Sequence, residues 1–162
     1  MQYSEERRRF LKLAGAFFSV YGLRAEYAWA STQADPRLPE TFAAFLDVLL
    51  PRDEWSGSAT DLQVDVKLLE FTKDDPRFGR LVDLGCHWLN MTGGPPFARL
   101  TSDQQVTVVE WMSKSDWNEI PRRFYELVRQ VAVGLYYGTP AAWHGLAIKH
   151  PPQPLGYPPP WS

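Results

Sequence analysis

The apolar residues along the middle of the chain have the spacing of α-helices. In the first such segment, residues 41–50, Phe42, Phe45 and Leu49 recur three or four positions apart, and Pro51 ends the run. Strand-type alternation of apolar and polar residues is almost absent. We therefore predict an all-α fold, a single small domain of about five helices around one core. The other helices are predicted over residues 64–71, from Pro76 to a break at Met91, after Thr101, and from Pro121 to about Tyr137.

Turn and capping residues mark where these helices are predicted to begin and end. Asp75-Pro76 is a favoured pair for an N-cap and first helical position, and Thr101 with Gln104 has the spacing of a capping box. Gly138 is predicted as the residue just after the last helix, where a left-handed backbone is common. The connection over residues 52–60 is polar and is predicted to be a loop.

The N-terminal segment departs from this helical pattern. It has consecutive arginines, an apolar run of 11 residues from 13 to 23, and small residues before Ser31. The apolar run is too short to span a bilayer, which takes about 20 such residues. The arrangement resembles a bacterial twin-arginine signal with a cleavage site before Ser31, so we expect residues 1–30 to direct export of folded protein. The residues of this pattern are Arg7, Arg8, Phe10, Leu11 and Lys12, with Ala28 and Ala30 at the cleavage site.

The C-terminal segment, residues 151–162, is dense in proline and reads PPQPLGYPPPWS. Proline removes backbone donors, so this stretch is neither helix nor central strand, and we expect an extended arm. Such a stiff arm suits docking on a partner, because little conformational freedom is lost on binding. An arm folded back on its own domain is the alternative. The remaining residues, 31–150, form the predicted helical domain.

Composition and charge limit the classes of partner and site. A chain of 162 residues with 44% hydrophobic content suits one globular domain. Residues 31–162 hold 12 basic and 16 acidic residues; nucleic acid, which needs a concentrated basic face, is not an expected partner. The single cysteine, Cys86, excludes an internal disulfide framework and a cysteine-rich metal site. It is expected to be a small buried apolar residue or, in an oxidising compartment, a bridge to another chain.

The residue patterns predict no catalytic, cofactor-binding or metal site in this chain. The three histidines are not followed four residues later by a second ligand, so the sequence shows no helical metal pair of that kind; they are His87, His144 and His150. The sequence contains no C-x-x-C-H motif for covalent haem and no glycine-rich phosphate loop. Asp61 and Asp65 are expected to lie on a solvated helix face.

Taken together, three stretches resemble the small subunit of flavin-dependent sugar and polyol dehydrogenases, the gluconate 2-dehydrogenase subunit 3 type. The first stretch is the twin-arginine leader, and the second is the helix that ends in Pro51 and acidic residues. The third stretch is the last helix together with the C-terminal residues after it. The segments that carry the resemblance are Arg7, Arg8, Phe10 and Leu11, residues 45–53, residues 124–127 and 134–140, Trp143, and residues 155–158.

The resemblance implies a non-catalytic subunit. Such small subunits bind a large catalytic flavoprotein that carries FAD and lacks its own signal, and they support its maturation and escort it through the twin-arginine translocase. A multihaem cytochrome c subunit, with haem c, passes electrons on to the membrane. The resemblance therefore implies a periplasmic location, associated with the inner membrane through the complex, and no cofactor in this chain.

The partner interface is expected to be rich in aromatic residues, because these dominate the binding energy of protein interfaces. Trp88 and Trp111 have the spacing of apolar helix stripes and are expected in the core. Two other functions stay open: a membrane-anchored assembly module with an uncleaved leader, and a free-standing periplasmic enzyme built on His87 or His144 with a carboxylate. The predicted interface anchors are Trp55, Trp143, Tyr157, Pro158 and Trp161.

Overall fold

In this computed structural model, the described residues are 36–91, 94–144, 146 and 148, and their regular structure is entirely helical. This confirms the predicted all-α fold with five α-helices. The predicted export signal, residues 1–30, and the predicted arm, residues 151–162, lie outside the described residues. The α-helices are α1 Leu38–Leu49, α2 Val64–Asp74, α3 Pro76–Asn90, α4 Ser102–Met112 and α5 Ile120–Tyr137, with short 3₁₀ helices at Phe97–Arg99 and Pro140–Trp143.

A single residue joins α2 to α3. The backbone N–H of Asp75 donates to the Phe71 carbonyl oxygen at 3.1 Å and so closes the last turn of α2. The carboxylate of the same residue accepts from the N–H groups of Arg77 (2.9 Å) and Phe78 (3.2 Å), which have no partner within α3. The predicted N-cap is thus confirmed, and it also ends the preceding helix.

The start of α4 and the end of α5 lie where the sequence predicts them. The capping box is confirmed: Gln104 Oε1 accepts from the Thr101 N–H at 3.0 Å, and the Thr101 hydroxyl accepts from the Gln104 N–H at 3.4 Å. Gly138 directly follows α5, as predicted, and has a φ of −69°. Its N–H donates to the Gly134 carbonyl oxygen at 2.9 Å. A Cβ at position 138 would lie 3.0 Å from that oxygen, so close backbone approach favours glycine there.

Two helices, α1 and α5, each pack against all of the other α-helices, and the core lies between them. The Phe124 ring of α5 lies 4.6 Å from that of Phe45 and 6.4 Å from that of Phe42, centroid to centroid, and all three are fully buried. Gly85 brings α3 against this cluster, because a Cβ there would lie 2.2 Å from the Phe124 ring. The helix faces predicted from spacing therefore meet in one core.

Two tryptophans predicted to be core residues lie at the edge of the core instead. Trp88 of α3 and Trp111 of α4 are half-buried, and their rings stack at 5.4 Å with an interplanar angle of 8°. Cys86 is buried, as expected for an apolar residue. None of the helices in the described ranges is long and apolar enough to cross a membrane.

Candidate functional site: the Trp55 loop

The connection from α1 to α2, residues 52–61, is named the Trp55 loop. Its first half closes around one carboxylate. Asp53 Oδ1 accepts from the backbone N–H of Trp55 at 2.7 Å, and from the N–H of Ser56 at 2.6 Å and its hydroxyl at 3.1 Å. The Asp53 N–H donates back to the Ser56 carbonyl oxygen at 3.1 Å. The N–H groups of Ser56 and Trp55 favour the ionised carboxylate and lower the pKa of Asp53.

The second half of the Trp55 loop is organised by Asp61. Its Oδ2 accepts from the Ser58 N–H at 2.7 Å and pairs with Arg52 Nη2 at 2.6 Å. The Ser58 N–H, followed by the Ser58 hydroxyl and the Arg52 charge, lowers the pKa of Asp61. The prediction that Asp61 lies on a helix face with Asp65 is wrong, because Asp61 precedes α2 and shapes the loop. Asp65 does lie in α2, and its Oδ1 is buried without a hydrogen-bond partner.

Two contacts from distant parts of the chain fix the loop to the helical body. On α1, the carboxylate of Asp47 accepts from the N–H (2.9 Å) and the hydroxyl (2.8 Å) of Thr60. In the last turn of α5, the Tyr136 hydroxyl donates to the Gly57 carbonyl oxygen at 2.6 Å and lies 2.9 Å from the Ser56 hydroxyl. Tyr136 is otherwise buried. The Trp55 loop is therefore part of the packed structure.

This scaffold leaves the Trp55 side chain facing solvent. Its exposed fraction is 60%, whereas its backbone N–H is held by Asp53. Exposure of a large aromatic residue costs free energy in water, and loops that carry function are often held rigid by the fold beneath them. An exposed indole on such a loop is suited to bind another protein, and the role of Trp55 as an interface anchor stays a prediction.

Further apolar side chains lie at the same end of the bundle. Tyr137 packs edge-on against Tyr136, with centroids 5.1 Å apart, and is 48% exposed. Leu146 and Ile148, beyond the second 3₁₀ helix, are also exposed. Trp143, a predicted anchor, is half-buried, and its indole N–H donates to the Tyr137 carbonyl oxygen at 2.7 Å. The other predicted anchors, Tyr157, Pro158 and Trp161, lie outside the described residues.

Sequence reasoning missed one feature of this surface and one exposed tryptophan elsewhere. Helical spacing assigns Tyr136 to an apolar stripe, which is correct for its ring but misses the hydroxyl contacts to the loop. The signal available was a tyrosine at a core position, because a buried tyrosine hydroxyl usually has a partner. The second omission is Trp117, which is 54% exposed in the turn before α5. No spacing rule distinguishes it from a core tryptophan.

The described residues do not bring catalytic groups together in a cleft. His87 and His144 are exposed, and His150 lies outside the described residues. Two shallow grooves, of about 290 and 220 Å³, are lined by no histidine. In the first groove, partial burial raises the pKa of Asp83. Among the described side chains, no three of His, Cys, Asp or Glu are grouped to hold a metal ion.

Comparison with known proteins gives one match. The family model described as gluconate 2-dehydrogenase subunit 3 matches residues 39–150, which is more than half of the chain. This range includes the Trp55 loop and nearly all of the described helical body. The searches of curated proteins and of solved structures returned no match.

Proposed function

Because this chain belongs to the gluconate 2-dehydrogenase subunit 3 family, we propose that it is the non-catalytic small subunit of a membrane-bound sugar or polyol dehydrogenase complex. The family match, which spans the helical body, is the observation that carries this proposal. In the complex, the chain binds a large catalytic flavoprotein, supports its maturation and escorts it during export. FAD belongs to that partner, and haem c to a further cytochrome subunit.

The export part of the proposal rests on the N-terminal sequence. Arg7 and Arg8, followed by Phe10, Leu11 and Lys12, give the twin-arginine pattern, and Ala28 and Ala30 precede the cleavage point at Ser31. This route moves proteins that are already folded. A partner that has taken up its cofactor in the cytoplasm can therefore cross while bound to this chain, which leads to a periplasmic location.

The export role is tested by replacing both arginines of the pair. In the Arg7→Lys/Arg8→Lys variant, charge is kept, and we expect this chain and its flavoprotein partner to stay together in the cytoplasm. Arg9→Lys, a neighbouring substitution of the same chemistry outside the pair, is the matched control and should leave export intact. The measurement is the distribution of both proteins between periplasm and cytoplasm. Export of the flavoprotein with the double variant at the wild-type level would contradict the escort role.

The subunit role is tested by isolating the tagged chain from periplasm and membranes. We expect a large partner with flavin absorbance bands and an intact mass for this chain that begins at Ser31. A chain that comes alone, at its mature mass and without flavin, would contradict the proposal. A mass that retains residues 1–30 would instead favour the membrane-anchored assembly module.

A further inference from the structure

We infer that the Trp55 loop is the element that binds the catalytic subunit, and that the surface it meets is an apolar slot rimmed by arginine or lysine. This inference rests on the proposed function for the identity of the partner. The assignment of the loop, and of the chemistry that recognises it, rests on the structure.

The loop is held in one conformation before any partner binds. Asp53, Asp61, Asp47 and Tyr136 hold its backbone through hydrogen bonds. Ordering of side chains and loops on association normally opposes binding. Because the Trp55 backbone is fixed before binding, little further ordering is needed. Gly57 permits this tight turn, since a Cβ there would lie 2.7 Å from the Asp61 Cβ.

The segment that carries the loop is acidic, and the next cation along the chain is Lys67, whose Nζ lies 3.4 Å from the Leu62 carbonyl oxygen. Residues 47–65 contain five acidic residues and one basic residue, Arg52, a net charge of −4, whereas the whole chain carries −2. The single arginine is paired with Asp61. Glu54, next to Trp55, is exposed. A partner of complementary charge would therefore present cations around the slot, and an arginine there can also stack on the indole face.

Trp117, the other strongly exposed tryptophan among the described residues, has different surroundings. Its side chain is 54% exposed, close to the value for Trp55. Residues 110–129, which surround it, hold four acidic and four basic residues and are neutral overall. Trp117 precedes α5, whereas the Trp55 loop contacts the last turn of α5; an 18-residue helix is about 27 Å long. The two tryptophans therefore lie at opposite ends of α5.

The experiment measures affinity for the flavoprotein subunit recovered with the wild-type full chain. The two subunits are separated, and binding is measured with wild type, Trp55→Ala and Trp117→Ala. We expect Trp55→Ala to weaken binding by about 30-fold and Trp117→Ala by less than about threefold. Circular dichroism and thermal unfolding establish that each variant is folded. Equal losses in the two variants, or a larger loss for Trp117→Ala, would overturn the inference and leave the subunit role intact.

The contribution of charge is tested with a separate variant, which also serves if Trp55→Ala fails to fold. Glu54→Lys changes an exposed side chain and is expected to weaken binding about tenfold at low salt, with a shallower salt dependence. Glu119→Lys, beside Trp117, is the matched control and should have little effect. If Glu54→Lys leaves both the affinity and its dependence on salt concentration unchanged, the inference that arginine or lysine surrounds the apolar slot is overturned.

Two further outcomes concern which protein binds the Trp55 loop. If the wild-type chain recovers no flavoprotein, both the proposed function and this inference fail. If the purified wild-type chain dimerises and Trp55→Ala is monomeric, as measured by sedimentation, the loop binds a second copy of the chain and the inference is overturned. A monomeric wild-type chain that binds the flavoprotein through Trp55 supports the inference.

Discussion

The two exposed tryptophans at the ends of α5 are held in different ways. In the Trp117 turn, Asp116 accepts from the Asn118 N–H at 2.7 Å, and Arg123 donates to the carbonyl oxygens of Trp117 (3.1 Å) and Asn118 (2.9 Å). All of these bonds join residues no more than six positions apart in sequence. The Trp55 loop, in contrast, is bonded to residues 13 and 79 positions away.

The Trp117 turn is a simple connection between two helices, whereas the Trp55 loop is a surface that contacts from other helices hold in place. The contacts of the Trp117 turn are the ones needed to leave α4 and begin α5. Those of the Trp55 loop go beyond what joining α1 to α2 requires, because Asp47 and Tyr136 fix the loop to two helices. Exposure of an aromatic side chain is therefore a weak indicator of function by itself. Exposure on a backbone held by long-range contacts is a stronger one.

The largest effect is expected from a change in the helical core, which should affect the Trp55 loop and the Trp117 turn alike. In Gly85→Ala, the new methyl group would overlap the Phe124 ring, which cannot move because Phe42 and Phe45 pack against it. We expect the free energy of unfolding to fall by about 3 kcal/mol in a denaturant titration.

Gly134→Ala on α5 is the matched control for that substitution. A Cβ at position 134 meets nothing within 4 Å, so helix propensity dominates. The variant should be more stable by about 0.5–1 kcal/mol. A similar loss of stability in both variants would show that packing against Phe124 is not the cause.

The second-largest effect, on stability and amide exchange, should be confined to the Trp55 loop. Tyr136→Phe keeps the buried ring but removes the hydroxyl that contacts Gly57 and Ser56. We expect a loss of about 1–2 kcal/mol in unfolding free energy, with faster amide hydrogen exchange in the Trp55 loop and unchanged exchange in the Trp117 turn. Tyr137→Phe, at an exposed neighbour, is the control and should change neither quantity. Faster exchange at both ends would argue that the loop is not separately supported.

A smaller effect on the Trp55 loop is expected when the pH is lowered. The pKa values of Asp53 and Asp61 in the folded protein lie below the ordinary value of 3.8. A depressed pKa means that the ionised carboxylates stabilise the loop above pH 3.8 and that this contribution is lost as the pH falls through the folded pKa. Amide NMR signals of Ser56 and Ser58 should therefore shift as the pH is lowered from about 5 to about 2. Asp53→Asn and Asp61→Asn should remove this titration, and shifts completed above about pH 5 would contradict it.

The smallest effect is expected on the unfolding free energies of the two tryptophan-to-alanine variants. Because both side chains are mostly exposed, Trp55→Ala and Trp117→Ala should each change the free energy of unfolding by no more than about 0.5 kcal/mol. Thermal and denaturant unfolding of the two variants would measure this. A large loss of stability in Trp55→Ala alone would mean that its side chain supports the fold rather than a partner.

The helical part of the fold was predictable from sequence because its signals are local. Capping at Asp75 and Thr101 and the extent of α5 depend on residues within one or two turns of each other, and the structure confirms them. One residue that helical spacing assigns to the apolar stripe of α5, Leu127, is 41% exposed instead. The half-buried position of Trp88 and Trp111 was not predictable, since helical spacing predicts which face of a helix is apolar but not how deeply each residue on that face is buried.

The site was only partly predictable, because its contacts are not local. Trp55 is an aromatic residue in a polar loop, which predicts an interface anchor, and the structure places its side chain in solvent. The bonds from Asp47 and Tyr136 to the loop join residues that only the tertiary fold brings together.

The junction at Asp75 has a consequence for how the chain can vary in length. One residue closes α2 with its N–H and opens α3 with its carboxylate, so the two helices share a single corner. An inserted residue would divide these two roles between neighbouring positions, and the angle between the helices would no longer be set. We therefore expect insertions and deletions in related chains to avoid this corner, which makes it a fixed point for aligning them.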